Sequence, residues 1–344
     1  MTNREWLERL PKVELHYHFD GSMRLDTIAD ILAGQGEKVT PDRLRSEIVI
    51  QGATPSLAAY LEKFERTFQC EQTQKDIERI AFEHVEDAGK SNIMYFEVRF
   101  APQLMRRRGL SCLQVIDSVL QGLRCGMQSC PQVIGRAIVC GMRGDSLAMN
   151  MEVVEAALTR KGEVVAIDIA GDEVGFPPLM LMDMFDRARE GGLPYTIHAG
   201  EAGDPQYIKE AAMLGAKRIG HGTHINYDPN LMRFFAKRGI ALEMCPTSNV
   251  HTHAVSCFEE YPIRDYFDKG LVVTVNTDNV TVSNTTLVNE FMILIERFGF
   301  TRAEILQLTR NAINACFADD LTRWGLTARL DAFVEQYCKG DVAL

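Results

Sequence analysis

The sequence predicts an α/β fold: a (β/α)8 barrel of the TIM type, with additional helices after strand 1 and at the C-terminus. Short runs of β-forming residues alternate with stretches of helical periodicity along the chain. Several of these runs are almost continuously apolar, as expected for parallel strands that are covered on both faces. Eight such repeats favour a closed barrel over an open, doubly wound sheet.

Composition sets the first limits. The chain has 344 residues, 46% of them hydrophobic, which is enough for one barrel or two smaller domains. We find no internal repeat, low-complexity tract or linker, and so predict a single domain over residues 1–344. The net charge is −10, from 37 basic and 47 acidic residues, without a basic run. This charge excludes a typical nucleic-acid-binding protein.

The cellular location of the protein is predicted from its cysteines, its N-terminal residues and the length of its apolar runs. The nine cysteines are scattered without a C-x-x-C pair, which indicates reduced thiols in a reducing compartment. The N-terminal MTNREWLERLPK carries charges where a signal peptide would need its apolar core. No apolar run approaches the ~18 residues that span a membrane. We therefore expect a cytoplasmic protein that does not bind membranes; its oligomeric state is left open.

The first strand lies within Val13–Gly21, and a helix is predicted over Met23–Ala33. Residues 35–55 are polar and carry no strong pattern. Helical periodicity returns over residues 56–70 and 73–90. The first of these two stretches has an apolar stripe at i, i+3/i+4 and i+7, formed by Leu57, Tyr60, Leu61, Phe64 and Phe68. Such a stripe indicates either core packing or a mobile apolar cover over a site.

Seven further strands follow. They are predicted at Met94–Phe100, Arg136–Met142, Val164–Gly171, Tyr195–Gly200, Arg218–Gly222, Ile240–Cys245 and Leu271–Asp278. Of the helices between them, the clearest begins after Asp228 as N-cap, has Pro229 in its first turn and ends before Gly239. Residues 287–298 and 301–340 are predicted to be helical, the latter beginning with a capping box.

Polar residues follow these strands at their carboxyl ends, where barrels of this type carry their active sites. His16 and His18 share one face of the first strand because side chains two residues apart point the same way. Further histidines and aspartates follow strands five, six and eight, including His198, His221 and Asp278, and three histidines with one aspartate pointing inward at one rim would form a plausible nitrogen and oxygen site for a zinc-type ion. An H-x-H pair alone would be weak evidence, since it also occurs as ordinary polar residues near a strand end.

Six motifs then identify a family. They are PKVELHYHFDGS (11–22), DIAGDE (168–173), HAGE (198–201), RIGHG (218–222), CPTSN (245–249) and NTDN (276–279). In order and approximate spacing the chain resembles the adenosine deaminase family of the metal-dependent amidohydrolase superfamily. The resemblance implies one zinc ion per chain, bound by His16, His18, His198 and Asp278.

The resemblance also implies catalytic roles. Glu201 matches the residue that protonates the purine ring nitrogen, and His221 the residue that positions and helps to activate the attacking water. Asp278 lies beside them as a second carboxylate. Deamination adds water at the carbon that bears the amine, and protonation of the adjacent ring nitrogen makes this carbon electrophilic. The implied reaction converts adenosine and 2′-deoxyadenosine to their inosine forms plus ammonia, in purine salvage.

Substrate contacts are implied in the same way. The backbone of Gly171 matches the contact to purine N3, and Asp20, next to His18 in the substrate site, matches the contact to a ribose hydroxyl. The apolar lid over the base is represented by Leu57, Leu61 and Phe64. The chain departs from many relatives at Asn279, where they have a second aspartate that contacts purine N7. An asparagine amide can still donate a hydrogen bond there, but the substrate preference is less certain.

Several alternatives stay open at this point. The chain could deaminate a related purine, such as adenine or a 5′-modified adenosine. The carboxylate of Asp20 suits a hydroxyl donor and would repel a 5′-phosphate, whereas a bulky 5′-thioether is not excluded. A non-catalytic nucleoside-binding or zinc-stabilised scaffold protein would not need Glu201 and His221. The pair His84 and Glu86 matches the H-x-E of the cytidine deaminase class, but the required P-C-x-x-C is absent.

Overall fold

The computed structural model describes residues 1–52, 54 and 60–338. Within them, eight strands form two parallel four-stranded sheets with the orders β1-β2-β3-β4 and β5-β6-β7-β8. The strands are β1 Lys12–His18, β2 Ile93–Phe100, β3 Ile134–Met142, β4 Val164–Ala170, β5 Thr196–Ala199, β6 Arg218–His221, β7 Ala241–Met244 and β8 Val273–Val275. Each observed strand coincides with a predicted one to within a few residues.

Two short contacts close the sheets into a barrel. An isolated parallel bridge from Ile167 to Tyr195 joins β4 to β5. A second bridge, from Tyr17 to Asp278, joins β1 to the segment after β8. At this seam the His18 N–H donates to the Asp278 carbonyl (2.8 Å), and the Asp278 N–H donates to the His16 carbonyl (2.9 Å). The predicted (β/α)8 barrel is confirmed.

A buried carboxyl group also ties the seam together. The side chain of Glu14 accepts hydrogen bonds from the Thr277 N–H (3.2 Å) and hydroxyl (3.0 Å). Burial raises the pKa of Glu14 to about 8, even though the bonds from Thr277 act in the opposite direction. The first strand and the chain after the last strand are therefore held together by both backbone and side chains.

Helices cover the barrel and extend beyond it. The α-helices are α1 Asn3–Arg9, α2 Leu25–Gly34, α3 Pro41–Ile48, α4 Glu65–Cys70, α5 Gln74–Lys90, α6 Cys112–Ser129, α7 Leu147–Leu158, α8 Met182–Glu190, α9 Pro205–Leu214, α10 Pro229–Arg238, α11 Pro246–His251, α12 Ile263–Asp268, α13 Leu287–Phe298, α14 Arg302–Ala315 and α15 Asp320–Tyr337. Short 3-10 turns include Asp20–Ser22 after β1 and Glu62–Phe64 before α4. The additional helices predicted after strand 1 and at the C-terminus are present.

The sequence pattern missed some helical detail. Helix α3 lies in the stretch that showed no strong pattern; Thr40 caps it and Pro41 begins it. The stretch predicted as helical over 301–340 is interrupted after Ala315 and resumes at Asp320. By contrast, α10 is capped by the Asp228 side chain, as predicted, and ends at Gly239 in the left-handed conformation (φ 65°).

All nine cysteines are free thiols, in agreement with the expected absence of a disulfide framework. In the part of the chain that the structure describes, no helix combines the length and apolar character required to cross a bilayer.

Candidate active site

A cavity of about 190 Å³ opens at the carboxyl ends of the strands. Its walls include polar residues from β1, from the segments after β4, β5 and β8, and from the end of β6. The sequence-predicted residues among them are His18, Asp20, Gly171, His198, Glu201, His221, Asp278, Asn279, Leu61 and Phe64. The barrel therefore brings together residues that are far apart in the chain.

Four of the predicted side chains converge at this end of the barrel: His18, His198 and Asp278 line the cavity, and His16 is buried next to them. The Nε2 atoms of His18 and His198 are 3.3 Å apart. Asp278 Oδ1 lies 3.3 Å from His18 Nε2 and 3.5 Å from His16 Nε2. The Nε2 atom of His16 is buried and has no hydrogen-bond partner among the described residues. Imidazole nitrogens and a carboxylate at this spacing are a donor set that suits a divalent metal such as zinc.

Carboxylates behind two of the histidines fix how the rings face the cluster. Glu243 Oε2 lies 2.8 Å from His16 Nδ1, and Asp168 Oδ2 lies 2.9 Å from His198 Nδ1. A carboxylate at Nδ1 favours a proton on that atom, which leaves the Nε2 lone pair free toward the cluster. Burial lowers the pKa of His198, so that its ring is neutral, as a metal ligand must be.

The supporting carboxylates belong to a fully buried ionic network. The Arg99 guanidinium contacts both Asp168 and Glu243, at 2.5 and 2.8 Å. Arg218 donates to Glu243 from the other side, and Thr196 donates its hydroxyl proton to the same carboxylate. Because these charges are paired and shielded from water, the network holds the histidines in one arrangement.

Asp278 and Glu201 are two buried carboxyl groups with opposite protonation tendencies. Burial, followed by the nearby carboxylates of Asp278 and Glu173, raises the pKa of Glu201 well above its ordinary value. Burial alone would raise the pKa of Asp278, but contacts with His16 and His18 lower it well below its ordinary value. A pair separated in this way supplies one proton donor and one permanent anion at neutral pH.

The loop that carries Glu201 is anchored by Glu173. The Glu173 carboxylate accepts hydrogen bonds from the N–H groups of Gly200, Glu201 (3.1 Å), Ala202 (2.8 Å) and Gly203 (2.9 Å). Glu173 is itself almost fully buried. Four backbone donors on one anion form a rigid anion-binding loop, which sets the place of the Glu201 side chain.

His221 is oriented differently from the other histidines of the cluster. The Asn249 amide nitrogen lies 3.0 Å from His221 Nδ1, while the Asn249 oxygen accepts from the Cys245 N–H (3.4 Å). Because the amide donates to Nδ1, the proton of the neutral ring resides on Nε2. His221 Nε2 lies 3.5 Å from Glu201 Oε2. His221 therefore presents an N–H donor to the cavity, unlike His16.

Asn279 and Gly21 are closely packed against each other. A Cβ atom at Gly21 would lie 1.7 Å from Asn279 Oδ1, so only glycine fits there. This oxygen is buried without a hydrogen-bond partner in the described part of the chain. Gly171 lines the cavity with a positive φ of 101°, which a residue with a side chain would adopt only with strain.

The apolar wall comes from the predicted stripe. Phe64 is buried, whereas Leu61 is exposed over 42% of its surface, and both line the cavity together with Tyr60 and Phe68. The Tyr60 hydroxyl lies 2.8 Å from the Ser283 hydroxyl, which fixes this wall to the segment after β8. Leu57, the third residue assigned to the lid, lies outside the described residues.

Sequence reasoning missed the residues behind the site. Asp168, Glu243 and Arg99 support the histidines, yet no role was predicted for them: Asp168 begins the motif DIAGDE, whereas Glu243 and Arg99 lie in no motif. The available signal was a charged residue inside an otherwise apolar strand, as in VVAIDIA of β4 and ALEM of β7. Such a charge is buried in a barrel and therefore needs a partner.

Comparison with known proteins gives matches over most of the chain. The family model described as Adenosine deaminase matches residues 11–333. An adenosine deaminase from Clostridium kluyveri is 41% identical over 323 residues, covering 92% of each chain. Among solved structures, an adenine deaminase from Arthrobacter aurescens superposes with a TM-score of 0.88 at 26% identity, covering 95% of this chain and 99% of the other. An Arabidopsis protein solved with IMP gives a TM-score of 0.85 at 26% identity, covering 97% and 99%.

Proposed function

The chain belongs to the adenosine deaminase family, and we propose that it deaminates adenosine and 2′-deoxyadenosine to inosine and 2′-deoxyinosine with one zinc ion per chain. We further propose a role in purine salvage in the cytoplasm, where the nine free thiols would stay reduced. The observation that carries the proposal is the placement of Glu201, a buried acid, beside the His16, His18, His198 and Asp278 cluster.

The donor set supports a resident metal. His16, His18 and His198 offer neutral imidazole nitrogens, and Asp278 offers a carboxylate oxygen. The Nε2 atom of His16, which has no hydrogen-bond partner in the described part of the chain, is an additional sign, because a buried lone pair without a partner costs free energy. When bound, zinc would supply its ability to make a water molecule acidic near neutral pH.

Glu201 is the proposed general acid. Because burial and neighbouring carboxylates raise its pKa, the side chain holds a proton at neutral pH. Transfer of this proton to a ring nitrogen of the purine would make the adjacent carbon electrophilic. The Glu173 anchor holds the backbone of Glu201 in place for this transfer.

His221 and Asp278 are proposed to act on the water side of the reaction. The Nε2 proton of His221 can donate to the incoming oxygen and stabilise negative charge that develops on it. Asp278 is an anion at neutral pH, and the Ser248 hydroxyl donates to its Oδ2 atom at 2.5 Å. With one oxygen fixed in this way, Asp278 keeps Oδ1 toward the histidines.

The cavity walls favour a purine nucleoside. Gly171, Asn279, Leu61 and Phe64 line the cavity. In the proposed complex the Gly171 backbone and the Asn279 amide contact ring nitrogens, and Leu61 and Phe64 cover an apolar face of the base. Asp20 at the same cavity suits a sugar hydroxyl. The alternative substrates remain adenine, which has no sugar for Asp20 to contact, and a 5′-modified adenosine. A 5′-phosphate would bring negative charge to the Asp20 carboxylate.

The proposal is tested by the ultraviolet spectrum of adenosine incubated with the purified, zinc-loaded protein. Adenine, 2′-deoxyadenosine, 5′-methylthioadenosine and AMP are run in parallel. We expect the adenosine and 2′-deoxyadenosine bands to convert to those of inosine and 2′-deoxyinosine, with slower conversion of the others. If another purine is deaminated and adenosine is not, that purine replaces adenosine as the proposed substrate. If none of the five compounds is deaminated, the proposed catalysis is refuted.

A further inference from the structure

Glu290 is a buried carboxyl group that the mechanism above does not use. It lies in the first turn of helix α13, together with the buried residues Leu287, Phe291 and Leu294 of the same helix. Its side chain is fully shielded from solvent. A carboxyl group in such a place destabilises the fold unless its oxygens accept hydrogen bonds. The partners of Glu290 therefore indicate what it holds in place.

Both carboxyl oxygens of Glu290 have a partner. Oε1 accepts a hydrogen bond from the hydroxyl of Thr285, which lies just before the same helix. Oε2 accepts from the backbone N–H of Thr247 at 3.0 Å, although the two residues are 43 positions apart. Thr247 is the second residue of helix α11, and an N–H group in the first turn of a helix has no acceptor within that helix. Glu290 therefore caps α11 from a helix that packs against it.

The two residues after Thr247 contact side chains that are proposed to act in catalysis. The Ser248 hydroxyl donates to Asp278 Oδ2 at 2.5 Å. The amide nitrogen of Asn249 lies 3.0 Å from His221 Nδ1. Helix α11 has only six residues, so few hydrogen bonds within the helix hold this segment. The position of its first turn thus sets where these two side chains point.

We propose that Glu290 is a positioning residue for the deamination. By holding the first turn of α11, it keeps side chains of that helix on His221 and Asp278. This inference rests on the proposed function, because it assumes that these two residues act on the water side of the reaction. None of Glu290, Ser248 and Asn249 lines the cavity. Loss of the cap should therefore slow the chemical step and leave binding of the purine nearly unchanged.

The test compares Glu290→Met with Glu290→Gln in the zinc-loaded protein. Methionine has a similar length but cannot replace the oxygen that accepts from the Thr247 N–H. Glutamine keeps an oxygen for this N–H, and its NH2 group can donate to the Thr285 hydroxyl. We expect Glu290→Met to lower kcat for adenosine by about 10- to 100-fold, because displacement of reacting groups by about 1 Å can cost on the order of 100-fold. KM and inosine binding should stay close to wild type, and Glu290→Gln should retain most of kcat.

Nitrogen-15 NMR of protein labelled at its histidines gives a readout that needs no turnover. In the wild-type structure His221 Nδ1 accepts from the Asn249 amide, which places the proton of the neutral ring on Nε2. In Glu290→Met, part of the His221 population should carry the proton on Nδ1 instead, whereas Glu290→Gln should give the wild-type spectrum. The His221 signals are assigned by their absence from the spectrum of His221→Gln.

Leu294→Ala is the control for loss of stability, because it removes a buried side chain from the same helix and leaves the Thr247 N–H with its partner. It should lower the melting temperature and leave kcat close to that of wild type. If Glu290→Met does not fold, Glu290→Asp carries the same comparison, since its side chain is one CH2 group shorter and keeps the charge.

A folded Glu290→Met protein with wild-type kcat or with an unchanged His221 spectrum would overturn the inference. Equal losses of kcat in Glu290→Met and Glu290→Gln, or in Glu290→Met and Leu294→Ala, would also overturn it, because the hydrogen bond to Thr247 would then not be the cause. Wild-type protein that does not deaminate adenosine would refute the proposed function instead, and the NMR comparison would still test the role of Glu290.

Discussion

Substitution of Glu173 by glutamine should disturb both stability and catalysis. The carboxylate accepts hydrogen bonds from four backbone N–H groups, three of them at Oε2. A glutamine can keep these three bonds by turning its single side-chain oxygen toward them. Its NH2 group would then face the N–H of Gly200, where two donors meet. Hydrogen bonds to a charged group are worth about 1.5–3 kcal/mol each, so we expect the free energy of unfolding to fall by about 2–4 kcal/mol.

The catalytic effect follows from the position of Glu201 on the same loop. Displacement of an acid by about 1 Å can cost on the order of 100-fold in rate, and we expect kcat/KM for adenosine to fall by about 10- to 100-fold. Removal of the Glu173 charge also removes one of the causes that raise the pKa of Glu201. The acid then loses its proton at lower pH, so the alkaline limb of the kcat/KM profile should move to lower pH.

The measurements are urea unfolding and a pH–rate profile, and Asp172→Asn is the control. Asp172 is the neighbouring residue, is exposed, and accepts from the N–H groups of Val174 and Gly175 at 3.1 Å. Its substitution should cost less than about 1 kcal/mol and leave the pH profile in place. If Glu173→Gln is as mild as this control in both measurements, the loop does not depend on the four hydrogen bonds.

Three further predictions test the proposed chemistry. Glu201→Gln should lower turnover by about 10²- to 10⁴-fold while inosine binding and zinc content stay close to wild type; near-normal turnover would point to a different acid. Removal of metal by a chelator, verified by elemental analysis, should abolish activity, and added zinc should restore it; activity in metal-free protein would contradict the ligand assignment. Because burial raises the pKa of Glu14 to about 8, the folded protein holds a proton that the unfolded chain releases above about pH 4.5, and this group lowers stability as pH rises from about 5 to 8. Glu14→Gln removes this effect. The free energy of unfolding of the variant, minus that of wild type, should therefore increase by up to about 1.4 kcal/mol per pH unit in this window. A difference that does not change with pH would contradict the raised pKa.

Much of the barrel could be predicted from sequence because its strands are buried on both faces. Continuous apolar runs that end in polar residues are visible without any knowledge of packing. Helix α3 was missed because only Leu44 and Ile48 are buried in it, too few to produce a periodic pattern. Its signal was local: Thr40 followed by Pro41 is a typical helix start.

The proposed ligands could be predicted for a related reason, since each lies at or beside the carboxyl end of a strand. The residues behind them could not. Glu243 meets His16 because β7 and β1 lie on either side of β8 in the closed barrel, although the two positions are 227 residues apart.

The barrel seam has a consequence for how the finished protein is made. His16 and His18 leave the ribosome well before Asp278, which follows only after the eighth strand and pairs with β1 through its backbone. At a synthesis rate of about 5–20 residues per second, the first histidines wait for tens of seconds before this partner exists. If Asp278 is a ligand as proposed, a nascent or truncated chain holds an incomplete donor set. Full metal affinity would then be reached only after the eighth strand has docked, so that loading with metal reports closure of the barrel.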